Sequence, residues 1–301
     1  MIAARLIQIA LTTAALSFIF FMLIGLMPGD PIDLAIAGDP RLSAEDAARL
    51  RALHGLDQPL LSRYLAWAGA VLSGNPGFSR LFAQPVSALI GPALLSTLTL
   101  LGLALGIAVV AGTALGVLAA LRPRAAPAVQ ALALLAQSVP GFWLGIMLIV
   151  VFAVWLGWLP AGGSEGWRAL ILPVATLAFA NLAAYARHAA SAMQAALLDP
   201  WIRSARARGA SESRIAWRHA FPNAAVPVIT LVGLDAGALV SGAVITEALF
   251  ARPGMGKLIF DAIMGNDSNL ALLALLVVAV VTMLGSLGAD LAQRALDPRI
   301  R

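Results

Sequence analysis

The sequence predicts an all-α integral membrane protein of six transmembrane helices with both termini in the cytoplasm. Three observations predict it. Of 301 residues, 60% are hydrophobic and only 12% charged, whereas a soluble domain carries roughly a quarter charged residues. Six apolar stretches reach the ~20 residues that a helix needs to cross hydrocarbon. They are Leu6–Met27, Ala93–Leu121, Val129–Trp158, Ala169–Tyr185, Ala224–Leu249 and Leu270–Ala292. The basic residues fall unevenly about them, as the positive-inside rule requires.

With six spans, one side holds the N-terminus, the 122–128 turn, the 186–223 loop and the C-terminus. That side carries 12 of the 20 basic residues. The opposite side has only Arg168, Arg252 and Lys257 in its short loops. Five more arginines lie in the 28–92 segment, which exceeds the ~60 residues within which loop charge controls orientation. The formal net charge of +5 therefore reads as inner-leaflet placement, not as nucleic-acid binding.

The first stretch is too long for the apolar region of a signal peptide, about 7–15 residues, and no small-residue cleavage site follows it. It reads as a retained span, residues 1–27. Residues 28–92 read as a short external helical segment. Ser43 and Asp46 form a capping-box-like start and Gly55 a C-cap. Asp57 and Pro59 open a second helix that carries Tyr64 and Trp67 and ends at Gly74. This segment is either an amphipathic cover or a docking surface for an external partner. Residues 93–301 form a five-span core. Gly102/Gly106, Gly112/Gly116 and Gly233/Gly237/Ser241 are spaced for close helix packing. Pro140 is expected to kink the third span. Trp155, Trp158 and Trp167 suit an aromatic belt. The fourth span is the weakest, interrupted by Pro173 and Asn181.

The 199–223 loop is the most informative segment. Asp199 before Pro200 is a helix start, an N-cap carboxylate with proline at N1. The helix carries Arg203, Arg206 and Arg208 and ends at Gly209. Ser211 caps a second short helix through Arg214, Trp217 and Arg218, which His219, Phe221 and Pro222 end. The product is a helix–glycine–helix elbow with a basic, partly aromatic face. By composition alone it could equally lie on anionic lipid, at about 1 kcal/mol per basic residue.

The run Arg206-Ala207-Arg208-Gly209-Ala210, then Arg218-His219-Ala220-Phe221-Pro222-Asn223, resembles the cytoplasmic loop of ABC-importer permeases. Further fragments resemble the dipeptide/oligopeptide branch, in order along nearly the whole chain. They are Pro28-Gly29-Asp30-Pro31, Gly55-Leu56-Asp57-Gln58-Pro59, Arg63-Tyr64, Thr97-Leu98, Glu247-Ala248-Leu249-Phe250, Pro253-Gly254-Met255-Gly256 and Leu296-Asp297-Pro298-Arg299-Ile300-Arg301. The chain departs from the pattern at Arg203-Ser204-Ala205, where an acidic-alanine-alanine opening is usual, at Pro200 (usually tyrosine) and at Phe221 (usually arginine).

The resemblance implies a multi-pass permease subunit of the bacterial inner membrane, forming half of a translocation path for di- or oligopeptides. Related permeases carry nickel, glutathione or oligosaccharides. The implied partners are a homologous second permease, two cytoplasmic ABC ATPase subunits, an external substrate-binding protein and membrane lipid. The coupling residues implied are Arg203, Arg206, Arg208, Gly209, Ala210, Arg214, Trp217, Arg218 and His219, with Gly209 between two coupling helices. Asp235, Ser241 and Glu247 are candidates for the path. Glu247 and Asp290 lie near span ends, within reach of the interface.

No cofactor or metal is expected, and no enzymatic activity. There is no cysteine, and His54, His188 and His219 are scattered. Gly256-Lys257 is similar to a phosphate loop, but that pattern needs glycine at 251 and serine or threonine at 258. Alanine and leucine stand there. The rival reading is an ion-coupled secondary carrier using Asp235, because intramembrane acids are functional candidates by default. Against it, no inverted pair of broken helices is evident.

Overall fold

The computed structural model describes residues 2–26 and 58–296, with the side chains of all of these except 234, 236–242 and 292–296. The Ser43–Gly55 helix and the C-terminal Asp297–Arg301 motif lie outside the described residues. Among the described residues, apart from one two-stranded hairpin, the regular structure is helical. Among the described residues, four helices are long and apolar enough to cross a membrane, and a bent pair makes up to five. The chain divides into two compact units, 1–95 with 254–281 and 96–253 with 282–301.

In the first unit, α1 (Ile2–Gly25) has 24 residues. At 1.5 Å per residue it is about 36 Å long, enough for a ~30 Å hydrocarbon core. Its apolar side chains, among them Leu6, Ile7, Leu11 and Leu23, are exposed. This is the pattern of a helix solvated by lipid or a partner. Its one buried residue, Ser17, shares a 2.9 Å hydrogen bond with the Tyr64 hydroxyl of α2 (Leu60–Leu72). Phe18 and Phe21 pack edge-on against Tyr64 at ring distances of 5.2 and 5.6 Å. Gly74 ends α2 as expected, at φ +85°. Its N–H reaches the Val71 carbonyl and that of Asn75 the Ala70 carbonyl, the paired bonds of a Schellman cap.

The hairpin β1 (Phe78–Ser79) and β2 (Gln84–Pro85) is held by Asp267. This buried carboxylate accepts from Ser79 Oγ at 2.6 Å and from the Leu81 and Leu270 amides at 3.0 and 3.2 Å. Three donors satisfy a charge that burial would otherwise make costly. Helix α3 (Val86–Leu121) begins seven residues before the expected span. Its Val86, Ile90 and Ala93 form a core with Met255, Leu258, Ile259 and Ala262 of α10 (Met255–Met264) and Leu270, Ala271 and Ala274 of α11 (Ser268–Leu296).

The second unit corrects two expectations. Pro140 does more than kink the third span. It splits it into α4 (Ala126–Ser138) and α5 (Gly141–Leu148), the latter continued by wide π turns over Ile149–Trp155, and the two parts are bent by 100°. Proline removes an N–H and forces Val139, at ψ 119°, out of the helical region. The fourth span is not weak. Helix α6 (Arg168–Leu198) is continuous for 31 residues and more enclosed than the other candidate spans. Pro173, the sixth residue of α6, gives up the bond that an N–H there would make to the Ala169 carbonyl, and the helix continues through it. Asn181 satisfies its amide on the Leu177 carbonyl at 2.9 Å. The fifth stretch lies in α9 (Phe221–Leu249).

The glycine pairs on α3 split in role. A Cβ on Gly112 would come within 2.6 Å of Tyr185 Cβ, and one on Gly116 within 2.7 Å of Ala189 Cβ, so α6 lies against these two glycines. Gly102 and Gly106 meet nothing within 4 Å.

Candidate functional site

The elbow joins α6 to α9 and is built in three steps. Asp199 is extended (φ −61°, ψ 145°), the conformation forced on a residue before proline. Pro200 then opens α7 (Pro200–Ala207) at N1. The expected carboxylate cap is absent, because Asp199 makes no side-chain capping bond. The start is set by the proline instead. Helix α7 ends as predicted at Gly209, whose φ is +81°. The Gly209 amide donates to the Arg206 carbonyl at 3.0 Å, and the Ala210 amide to the Ala205 carbonyl at 3.2 Å. These are the two bonds of a Schellman cap, which needs a left-handed residue here.

Ser211 caps the second limb as predicted. Its hydroxyl accepts from the Arg214 amide at 3.4 Å, and α8 (Glu212–Arg214) follows. The limb does not end at His219, Phe221 and Pro222. It runs through π turns (Ile215–Ala220) directly into α9. The wider i→i+5 turns and Pro222 in the first turn of α9 fit together, since proline has no N–H to place there.

The underside of the elbow is locked in the bundle. Ile202 of the first limb and Ile215, Ala216 and Ala220 of the second form a core with Val117 of α3 and Met193 and Ala196 of α6, and Ala205 is buried as well. The opposite face exposes Arg203, Arg206, Arg208, Gly209, Arg214, Trp217 and Arg218, with Ala210 and His219 half-buried. The nine expected coupling residues are thus carried by one elbow, seven of them exposed. Aromatic contacts stiffen it. The Trp201 and His219 rings lie 6.4 Å apart and those of Trp217 and Phe221 5.4 Å apart. The second contact gives Phe221, a departure from the family pattern, a packing role.

Glu212 is the residue that sequence reasoning missed. Its carboxylate takes two hydrogen bonds from the Arg206 guanidinium, at 2.7 and 3.0 Å, across the glycine turn. These bonds hold the Glu212 carboxyl below its ordinary range and raise Arg206. The clasp is therefore closed at neutral pH and opens only as acid protonates Glu212 below its ordinary pKa. Being exposed, it orients the limbs more than it stabilises the chain. Its six-residue spacing matches no helical pair rule, so only the turn geometry reveals it.

The path candidates fare differently. Asp235 of α9 accepts from the Tyr185 hydroxyl of α6 at 2.6 Å, so it bonds a neighbouring helix. The side chain of Ser241 lies outside those described. Glu247 does not reach an interface. It is fully buried and accepts from Thr97 Oγ1 of α3 at 2.5 Å. The Arg252 amide caps the Glu247 carbonyl at 2.8 Å. The Arg252 guanidinium is itself buried, which lowers its pKa against the opposing pull of the Glu247 charge. Among the described residues no group of three or more His, Cys, Asp or Glu could hold a metal.

The chain is 34% identical over 298 residues to the oligopeptide transport system permease protein AppB of Bacillus subtilis, covering 95% of this chain and 94% of that one. It is 35% identical over 299 residues to the glutathione transport system permease protein GsiC of Salmonella typhimurium, covering 99% and 97%. The fold is similar to that of a chain of the MetNI methionine ABC transporter in an inward-facing form, with TM-score 0.59 and 20% identity over 68% of this chain and 95% of that one. None of these likenesses supports the secondary-carrier reading. Residues 112–301 match the family of binding-protein-dependent transport system inner membrane components, and the chain belongs to that family, as a multi-pass permease of the ABC-importer type.

Proposed function

We propose that the chain is one permease subunit of an ATP-driven importer of short peptides, forming half of the path and coupled through the elbow to ATPase subunits in the cytoplasm. The observation that carries this is the elbow itself. Its underside is fixed in the bundle core while a basic, tryptophan-bearing face stays exposed. Such a face transmits force only if something docks on it. The substrate class rests on the relatives, whose names specify oligopeptides and glutathione, itself a short peptide. A homologous permease as the other half and an external binding protein complete the assembly. The chain has no phosphate loop, so ATP is hydrolysed by a partner.

The proposed topology has six spans, namely α1, α3, the bent α4–α5 pair, α6, α9 and α11, with both termini and the elbow inside. Reporter fusions after Arg218 and Arg301 are expected to read cytoplasmic, and fusions near Gly74 and Asp261 external. A cytoplasmic reading at Gly74 would overturn the six-span arrangement. The functional assignment is tested by affinity purification of the tagged chain from its native membrane. Two ATPase subunits and a second permease are expected to co-purify with magnesium-ATP hydrolysis. Recovery of the chain as a self-association alone, without nucleotide hydrolysis, contradicts the assignment.

A further inference from the structure

The elbow is the only stretch of chain between α6 and α9, and these two helices are also joined inside the bundle. Tyr185 lies 13 residues before Leu198, the last of α6. Asp235 lies 14 residues after Phe221, the first of α9. At 1.5 Å per residue these are about 20 and 21 Å from the elbow. The 2.6 Å hydrogen bond between them therefore ties the two helices at matched height. Tyr185 is completely buried, in a core with Ala108 of α3, Ala178 and Ala189 of α6 and Val228 of α9. At the same level α3 has Gly112 against Tyr185 and, one turn on, Gly116 against Ala189.

We infer that Tyr185 and Asp235 are a positioning pair that turns α6, the elbow and α9 into one rigid lever, with the glycine face of α3 as the surface against which it turns. The chain closes the loop at the elbow and the hydrogen bond closes it about four turns away. Without the bond, a push on the elbow can slide α9 along α6 and be absorbed there. With it, sliding would take the hydroxyl of the buried Tyr185 away from its acceptor and leave it unsatisfied, a costly arrangement. The two helices must then tilt together, and movement at the elbow reaches the far half of the bundle. The second limb serves this role directly, because it runs into α9 without interruption. The inference rests on the coupling reading of the elbow and gives Asp235 a mechanical role rather than a proton-carrying one.

The test uses the assembled transporter in liposomes, with its ATPase subunits and binding protein, and reads peptide transported per ATP hydrolysed. Tyr185→Phe removes only the donor. It is expected to leave subunit association and ATP hydrolysis near normal and to lower the transport ratio about fivefold or more, the lower end of usual coupling between sites. Asp235→Leu is expected to do the same from the other partner. Asp235→Asn, which still accepts from the tyrosine, is expected to keep most of the ratio. A normal ratio in Tyr185→Phe overturns the lever. So does an equal loss in Asp235→Asn and Asp235→Leu, which would show that the charge matters and not the tie. If Tyr185→Phe fails to assemble, the two Asp235 variants decide between these outcomes. Absence of ATP-driven uptake by the unaltered assembly would remove the coupling reading itself, and the lever with it.

Discussion

Gly209→Val is expected to leave the chain inserted and assembled in the membrane but to lower ATP-coupled uptake by about tenfold or more. The reason is local. Gly209 closes the Schellman cap of α7 at φ +81°, a region that β-branched residues resist. Space is not the obstacle, since a Cβ there would meet nothing within 4 Å. The cost is the backbone alone, about 1–3 kcal/mol. That is too small to unfold a bundle of lipid-solvated helices. It is large enough to re-aim the limb that carries Arg214, Trp217 and Arg218, since each 1.4 kcal/mol is a factor of ten in an equilibrium. Asparagine tolerates the left-handed region, so Gly209→Asn is expected to recover most of the uptake. A lipid-anchored elbow behaves otherwise. Its charge is unchanged in both variants, and both would be nearly silent. Uptake and ATPase association measured side by side for the two variants separate these outcomes, and full uptake by the valine variant excludes a coupling role for Gly209.

Gly116→Val is expected to abolish assembly of the bundle, whereas Gly102→Val leaves it intact. Both glycines belong to small-residue pairs on α3. At Gly116 any Cβ meets the Ala186 carbonyl and the Ala190 amide as well as Ala189 Cβ. Backbone atoms cannot rotate away, so α3 and α6 must separate. Separation breaks the close packing that holds apolar helices together in lipid, where no hydrophobic force opposes it. At Gly102 the added side chain enters open space. The yield of monodisperse protein in mild detergent distinguishes the two. A normal yield for Gly116→Val would show that the α3–α6 contact is not required for assembly.

The helical class, the capped elbow and its glycine were legible because each depends on local chemistry. Pro200 at N1, Gly209 at C′ and Ser211 as a cap act within a few residues of themselves. What escaped depends on the third dimension. Gly102/Gly106 and Gly112/Gly116 have the same spacing, and only the position of α6 tells them apart. Glu247 sits near a helix end, where an acid is expected to reach water, yet α3 covers it with Thr97. The Arg206–Glu212 clasp crosses a turn, and the Tyr185–Asp235 bond joins residues 50 apart. From sequence Pro140 predicts only a kink, because proline fixes a break but not its angle. The 100° bend depends on what α4 and α5 pack against. Pro173 and Asn181 do not break α6, since the packing around an enclosed helix outweighs one missing backbone bond and the asparagine amide is satisfied on its own helix.

In the proposed function this chain moves its substrate by the work of partner ATPases transmitted through the elbow. This is tested most directly by uptake of a labelled short peptide into liposomes that contain the chain, its second permease and the ATPase subunits, with binding protein supplied at the binding-protein face and magnesium-ATP at the ATPase face. The account predicts uptake that requires ATP, the ATPase subunits and the binding protein together, and that is indifferent to collapse of the proton gradient. Uptake by the chain alone, driven by a proton or sodium gradient and independent of ATP, would contradict it.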